Sequence, residues 1–238
     1  MEGKLALAQN TVLNALAGQI DDFYLAGGTA LSQFYFHHRE SKDLDFFTKE
    51  FSKKRVEEVG SLISQSLKKR IELVAEQAKR DRVRILVYSL QISKNVSLKI
   101  DFVEDYLNLA KTLRRINGIN VLSIEDIYLR KIYAITGSFR KEDETGRSIF
   151  AGFRQEAKDY FDLYFLSHTF MGLSDFVFRF GTPLIREAVV RWFRTYSRME
   201  IKTGLLELKI KKSMDYKDME RHFRQEVDRI LEKEVRLI

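Results

Sequence analysis

Asp43 and Asp45, in the stretch Asp43-Leu44-Asp45-Phe46-Phe47, are the residues whose types and spacing most directly suggest chemistry. In a strand the side chains alternate, so both carboxylates share one face while Leu44 and Phe46 turn the other way, toward a core. With their Cα atoms roughly 6 to 7 Å apart, such carboxylates repel unless a cation sits between them. Mg²⁺ suits that place, since it prefers oxygen ligands and completes its shell with water and substrate phosphates. Upstream, the apolar run Phe23–Ala26 ends in Gly27 and Gly28, and Thr29 is expected to cap a helix running through Ala30, Leu31, Phe34 and Tyr35. A strand, a Gly-Gly turn and a helix start aim unpaired N–H groups at one point, where an anion belongs. Alone, a Gly-Gly pair is usually a turn and an Asp-x-Asp usually a solvated edge. In this order they suggest phosphoryl transfer.

Further candidates lie downstream. In Ser97–Val103, Leu98, Ile100 and Phe102 fall on one face and Lys99 and Asp101 on the other. If that strand neighbours Asp43–Phe47, Asp101 can face the aspartate pair; otherwise it is an exposed carboxylate beside Lys99. Lys131 falls on the apolar stripe of Ile124, Ile127, Tyr128 and Ile135, and a lysine on a buried face needs a partner. It can snorkel, pair with a core carboxylate, or place its ammonium on nucleotide phosphates. Asp159 and Asp162, three apart, share a helix face, with Lys158 able to pair with Asp162. The adjacent His37 and His38 point in different directions with no further ligand nearby, so substrate contact beside Arg39 is expected rather than zinc.

These residues need elements to position them. Apolar spacing predicts helices over Leu5–Leu16 and Phe51–Leu67, and alternation predicts strands over Ile71–Ala78, Val83–Leu90 and Ser97–Val103, with a turn at Lys79–Arg82. From Ser123 the pattern turns helical, over Ile124–Thr136, Phe153–Ser167, Pro183–Ser197 and Asp215–Glu234, with Pro183 placed to start a helix. The expectation is an α+β catalytic domain over residues 1–122 and a helical domain over 123–238.

The chain has 238 residues, 45% hydrophobic and 32% charged, an ordinary globular composition that excludes bulk disorder. A net charge of +7, with the excess of Lys and Arg concentrated from Arg179 onward, is compatible with a polyanionic partner such as RNA and equally with a general excess that serves solubility. Without cysteine there is neither disulfide nor thiolate metal site. No stretch reads as a signal peptide or a membrane span, so a cytoplasmic protein with no membrane partner is expected.

Gly-Gly followed by Asp-Leu-Asp resembles the signature of the DNA polymerase β-like nucleotidyltransferase superfamily. Within it, the wording AGGTAL, HHRESKDLDFF, KIYAI and KDYFDLYFL resembles the AbiEii/AbiGii toxin family over roughly residues 23–166. The resemblance implies a mixed sheet with helices, Mg²⁺ held by Asp43 and Asp45 with Asp101 as third carboxylate, and a nucleoside triphosphate gripped by Gly27, Gly28, Thr29 and Lys131. It also carries over Asp159 and Asp162, with Lys158 where the family has arginine. It further implies transfer of a nucleotide to an acceptor hydroxyl, with tRNA, a protein hydroxyl or a small molecule such as an aminoglycoside as acceptor, and an antitoxin protein as partner. The alternative is a non-catalytic nucleotide- or RNA-binding protein of the same fold.

Overall fold

Leu44 and Phe46 are fully buried while Asp43 and Asp45 are only half-buried, so β2 (Asp43–Thr48) alternates as its sequence dictates. The computed structural model of the chain describes residues 2–77, 83–106, 112–137, 139–142, 148–151, 154–212 and 214–237. The expected turn at Lys79–Arg82 lies outside the described residues. Two compact units divide the chain: Met1–Tyr35 with Ser41–Asp126, and Phe36–Glu40 with Ile127–Ile238.

The first unit contains α1 (Glu2–Leu16), β1 (Tyr24–Ala26), the short α2 (Gly27–Ala30), a π-helical turn at Leu31–Tyr35, β2 and α3 (Lys53–Leu67). It continues with β3 (Ile71–Gln77), β4 (Ile85–Ser93), β5 (Val96–Glu104), β6 (Leu113–Ile116) and β7 (Ile119–Leu122). These strands form one mixed sheet in the order β3-β4-β5-β2-β1-β7-β6, with β2 at its centre. β2 runs parallel to β5, and β1 parallel to β7; the other pairs are antiparallel. One face of the sheet is apolar: Leu44, Phe46, Leu98, Ile100 and Phe102 are all fully buried, and the Phe46 and Phe102 rings stack at 5.6 Å. α1 and α3 pack with the sheet, burying Val12, Leu16, Val56, Val59 and Ile63. Ser52 caps α3, its side chain accepting the Arg55 N–H.

Two features of this unit depart from the sequence reading. Thr29 does not cap the helix after β1; α2 already starts at Gly27, after Ala26, and Thr29 is buried within it. The β6–β7 hairpin is absent from that reading, although it turns through Asn117 and Gly118, both at positive φ (50° and 78°), the pairing that suits a tight two-residue turn.

The second unit holds most of α4 (Ile124–Thr136), the two-stranded β8 (Phe139–Glu142) and β9 (Ser148–Ala151), and α5 (Ala157–Thr169). It also holds α6 (Leu173–Phe180), α7 (Pro183–Thr195), α8 (Arg198–Glu207) and α9 (Tyr216–Val235). α5 is its core, buried continuously from Asp159 to Ser167, which suits its all-round apolar sequence. Tyr160 on α5 packs edge-on against Phe223 of α9 at 4.9 Å and stands 5.5 Å from the Tyr196 ring. Pro183 opens α7 behind a Thr182 cap, as expected. α6 and α8 were not foreseen, and α5 starts four residues later than its expected start at Phe153, which itself lies outside the described residues. The α+β expectation is met.

Candidate functional site

Pairing of β2 with β5 sets Asp45 directly beside Asp101 and Asp43 beside Lys99, all on the sheet face opposite Phe46 and Phe102. Adjacent strands lie about 4.8 Å apart, so Asp45 and Asp101 are like charges held across one strand spacing, an arrangement that is unfavourable by itself. Lys99 offsets part of it: its Nζ lies 2.6 Å from Asp101 Oδ2. Partial burial works against the Lys99 ammonium, but the hydrogen bond and charge of Asp101, with the charges of Asp43 and Asp45, hold its pKa above the ordinary lysine value.

The turn after β1 meets this face from the other side. Ala26 is the antiparallel partner of Asp45, and Gly27 follows at φ +71°. A β-carbon at Gly27 would come within 2.6 Å of Asp45 Oδ2, so only glycine leaves this carboxylate its place. Thr29 fixes where β2 begins: its hydroxyl donates to the Asp43 carbonyl and hydrogen-bonds the Ser41 hydroxyl at 2.7 Å. Gln9 on α1 braces the same stretch, donating to the Ser41 carbonyl at 2.9 Å. The structure therefore brings Gly27, Gly28, Thr29, Asp43, Asp45 and Asp101 together, and adds Lys99.

This donor set suits a hard divalent cation. Among the described residues no three His, Cys, Asp or Glu side chains close into a metal cage. Mg²⁺ does not need one, because it is commonly held by one or two carboxylates with water and substrate phosphates filling the rest of its shell.

Lys131, Asp159 and Asp162 form a second group, inside the second unit. Asp159 and Asp162 are fully buried on α5, and Lys131 on α4 is 5% exposed. Lys131 Nζ lies 2.6 Å from Asp159 Oδ1 and 2.7 Å from Asp162 Oδ2. Of the partners weighed for Lys131, core carboxylates are the ones it has here. Asp162 also accepts from Arg39, Nε at 2.6 Å and Nη2 at 2.7 Å, and from His38 Nε2 at 2.8 Å. Arg154 Nε donates to Asp159 Oδ2 at 2.6 Å.

Burial raises the Asp162 pKa, yet the charges of Lys131 and Arg39 and the hydrogen bonds from His38 and Arg39 outweigh it and hold the group well below the usual carboxylate range. Asp159 is lowered against its own burial by Lys131 and Arg154. Lys131 is raised, because the two aspartate charges overcome desolvation. For His38 burial wins over the Asp162 contact and lowers the pKa, so the ring is neutral at pH 7.

Two sequence expectations need correcting, and one partner was not expected. His38 and Arg39 are 0% and 4% exposed and serve Asp162, rather than standing in a loop to meet substrate. Lys158 pairs with Glu156 at 2.8 Å, not with Asp162. Arg154 was missed because it precedes α5 and has no helical spacing to Asp159. The segment carrying His38 and Arg39 is itself held in strand fashion: Arg39 bridges Ile210, Glu40 N–H donates to the Lys209 carbonyl at 2.9 Å, and Lys211 N–H to the His38 carbonyl at 2.8 Å.

Comparison with known proteins gives this geometry a context. A family model described as nucleotidyl transferase AbiEii toxin, type IV toxin–antitoxin system, matches residues 11–237. A crystal structure of a candidate nucleotidyltransferase from H. pylori is similar at TM-score 0.61 and 18% identity, covering 98% of this chain and 96% of that one. JHP933 from Helicobacter pylori is similar at TM-score 0.59 and 17% identity, with 100% and 97% covered. MenT4, a nucleotidyltransferase toxin from Mycobacterium tuberculosis H37Rv, is similar at TM-score 0.55 and 13% identity, with 95% and 82% covered. At these identities the likeness is one of fold. No curated protein matches the chain by sequence.

Proposed function

Because the chain belongs to the family of AbiEii nucleotidyl transferase toxins of type IV toxin–antitoxin systems, and so is a nucleotidyltransferase, we propose that it moves a nucleoside monophosphate from a nucleoside triphosphate to an acceptor hydroxyl at the Asp43–Asp45–Asp101 face. The observation that carries this reading is the register that sets Asp101 beside Asp45, with Gly27 closing on the Asp45 carboxylate. Asp43 and Asp45 would hold Mg²⁺, which when bound neutralises phosphate charge and stabilises the attacking and leaving oxygens. Asp101 would join them as the third carboxylate on the ion, and it orients the acceptor hydroxyl and takes its proton. The Gly27-Gly28-Thr29 turn receives the triphosphate, with Gly27 letting the backbone approach closely.

Lys131, Asp159 and Asp162 enter this proposal differently. A lysine already neutralised by two buried aspartates favours a positioning role over direct contact with phosphates. Their network holds α4, α5 and the His38–Glu40 segment in one arrangement.

For the acceptor we propose RNA, with a tRNA 3′ end as the specific case. The net charge of +7 supports a polyanionic acceptor. An antitoxin protein is the partner the family implies. Among the described residues no helix is long and apolar enough to cross a membrane.

The test is incubation with each α-³²P-labelled nucleoside triphosphate, Mg²⁺ and total bacterial RNA, beside Asp45→Asn. Label should enter RNA with the native chain and vanish with the variant. Nucleotide binding without labelled RNA would move the acceptor to protein or small-molecule hydroxyls. Absence of nucleotide binding would remove the catalytic reading.

A further inference from the structure

Lys99 is a cation that the first unit places on the carboxylate face itself. It stands opposite Asp43 across the β2–β5 pairing, two residues from Asp101 on the same strand face, with Nζ 2.6 Å from Asp101 Oδ2. Its side chain is about half exposed (49%), while that of Asp101 is 14% exposed. The carboxylate is thus fixed and the ammonium sits at the end of a four-carbon stem that can swing away. A divalent ion drawn to this face meets a carboxylate that already has a cation on it. Two cations cannot share one carboxylate oxygen without repelling each other, so occupancy by one costs the other.

We propose that Lys99 is a built-in counter-cation that competes with the divalent ion for Asp101, leaving when the ion arrives and returning when it departs. The proposal rests on the reading that Asp43, Asp45 and Asp101 take up a divalent cation. Two consequences follow from the geometry. With the ion away, Lys99 helps to screen the carboxylates, of which Asp45 and Asp101 face each other across one strand spacing, and so favours the register of β2 and β5. With the ion present, the ion's net affinity is reduced by the pair it had to break. A weakly held ion is then expected, one whose occupancy follows arrival of a triphosphate that supplies further oxygens.

The experiment is direct titration of the full chain with Mn²⁺, free ion followed by electron paramagnetic resonance, with no nucleotide present. Three proteins are compared: native, Lys99→Met, which keeps the stem and removes the charge, and Asp45→Asn. Lys99→Met should bind Mn²⁺ more tightly than the native chain, by up to about fivefold, the size expected for losing one partly exposed ion pair. Its melting temperature without Mn²⁺ should be lower than native, and its rise on adding Mn²⁺ larger. Lys99→Arg, which retains the charge, should bind Mn²⁺ like the native chain. Equal or weaker Mn²⁺ binding by Lys99→Met, with binding still lost in Asp45→Asn, would overturn the competition while leaving the cation site standing. Binding that does not depend on Asp45 would overturn both.

Discussion

The Gly27 backbone lies so close to the Asp45 carboxylate that a β-carbon there would stand 2.6 Å from Asp45 Oδ2. Gly27 also holds φ +71°, a region that L side chains avoid. Gly27→Ala should therefore move the carboxylate or the turn, costing about 1 to 3 kcal/mol in stability. Nucleotide transfer should fall by more than the stability loss explains, because the side chain that is displaced is a proposed metal ligand. Urea unfolding beside the labelling assay separates the two; a variant as active as native would refute the importance of this approach.

Asp45→Asn and Asp43→Asn should each reduce transfer by about a hundredfold or more, the scale of losing a group that stabilises phosphoryl-transfer charge. Stability should hold or rise, since Asp45→Asn relieves the opposition to Asp101 across the strand pair. Calorimetry that found these variants strongly destabilised would make the aspartates structural instead.

Removing one partner from the buried network should act the other way. Asp162→Asn leaves Arg39 and Lys131 short of a carboxylate in an interior site, and the cost should reach about 3 to 5 kcal/mol. Lys131→Met paired with Asp159→Asn in a double-mutant cycle should show strong coupling across their 2.6 Å contact. Additive losses would mean the two groups act independently.

Stability should fall with acid in two windows. The His38 pKa is lowered in the folded chain, so the unfolded chain binds the extra proton first; the His38 contribution is full above the ordinary value of 6.5 and is lost as pH drops below it. Asp159 and Asp162 are also lowered, and their contribution is present above the ordinary 3.8 and lost as pH falls toward their folded values. Denaturant midpoints measured from pH 8 to pH 3 should decline in both ranges, and His38→Gln should lessen only the upper decline, which His222, also lowered by burial, shares. An unchanged profile in that variant would show that another group titrates there.

Most of the carboxylate face could be read from the chain. The alternation Asp43-Leu44-Asp45-Phe46 fixed which side chains share a face, because period two is imposed by the pleat itself. That β5 neighbours β2 could only be stated as a condition, since strand order depends on packing between distant segments. The β6–β7 hairpin carried its own local signal in Asn117-Gly118, which was overlooked. His38 and Arg39 gave no signal, because their burial depends on Asp162, more than a hundred positions away. Local rules cannot see a partner that distant.

The five residues Phe36–Glu40 interrupt one unit in sequence and belong to the other in space. During synthesis on a ribosome, Arg39 emerges long before Asp162, 123 residues later, so its guanidinium must wait for that carboxylate. A gene cut after residue 126 would strand Arg39 and His38 without their carboxylate, and the complementary fragment would carry Asp162 without them. Neither fragment would carry the pairings of Asp162 with His38 and Arg39 that the intact chain makes.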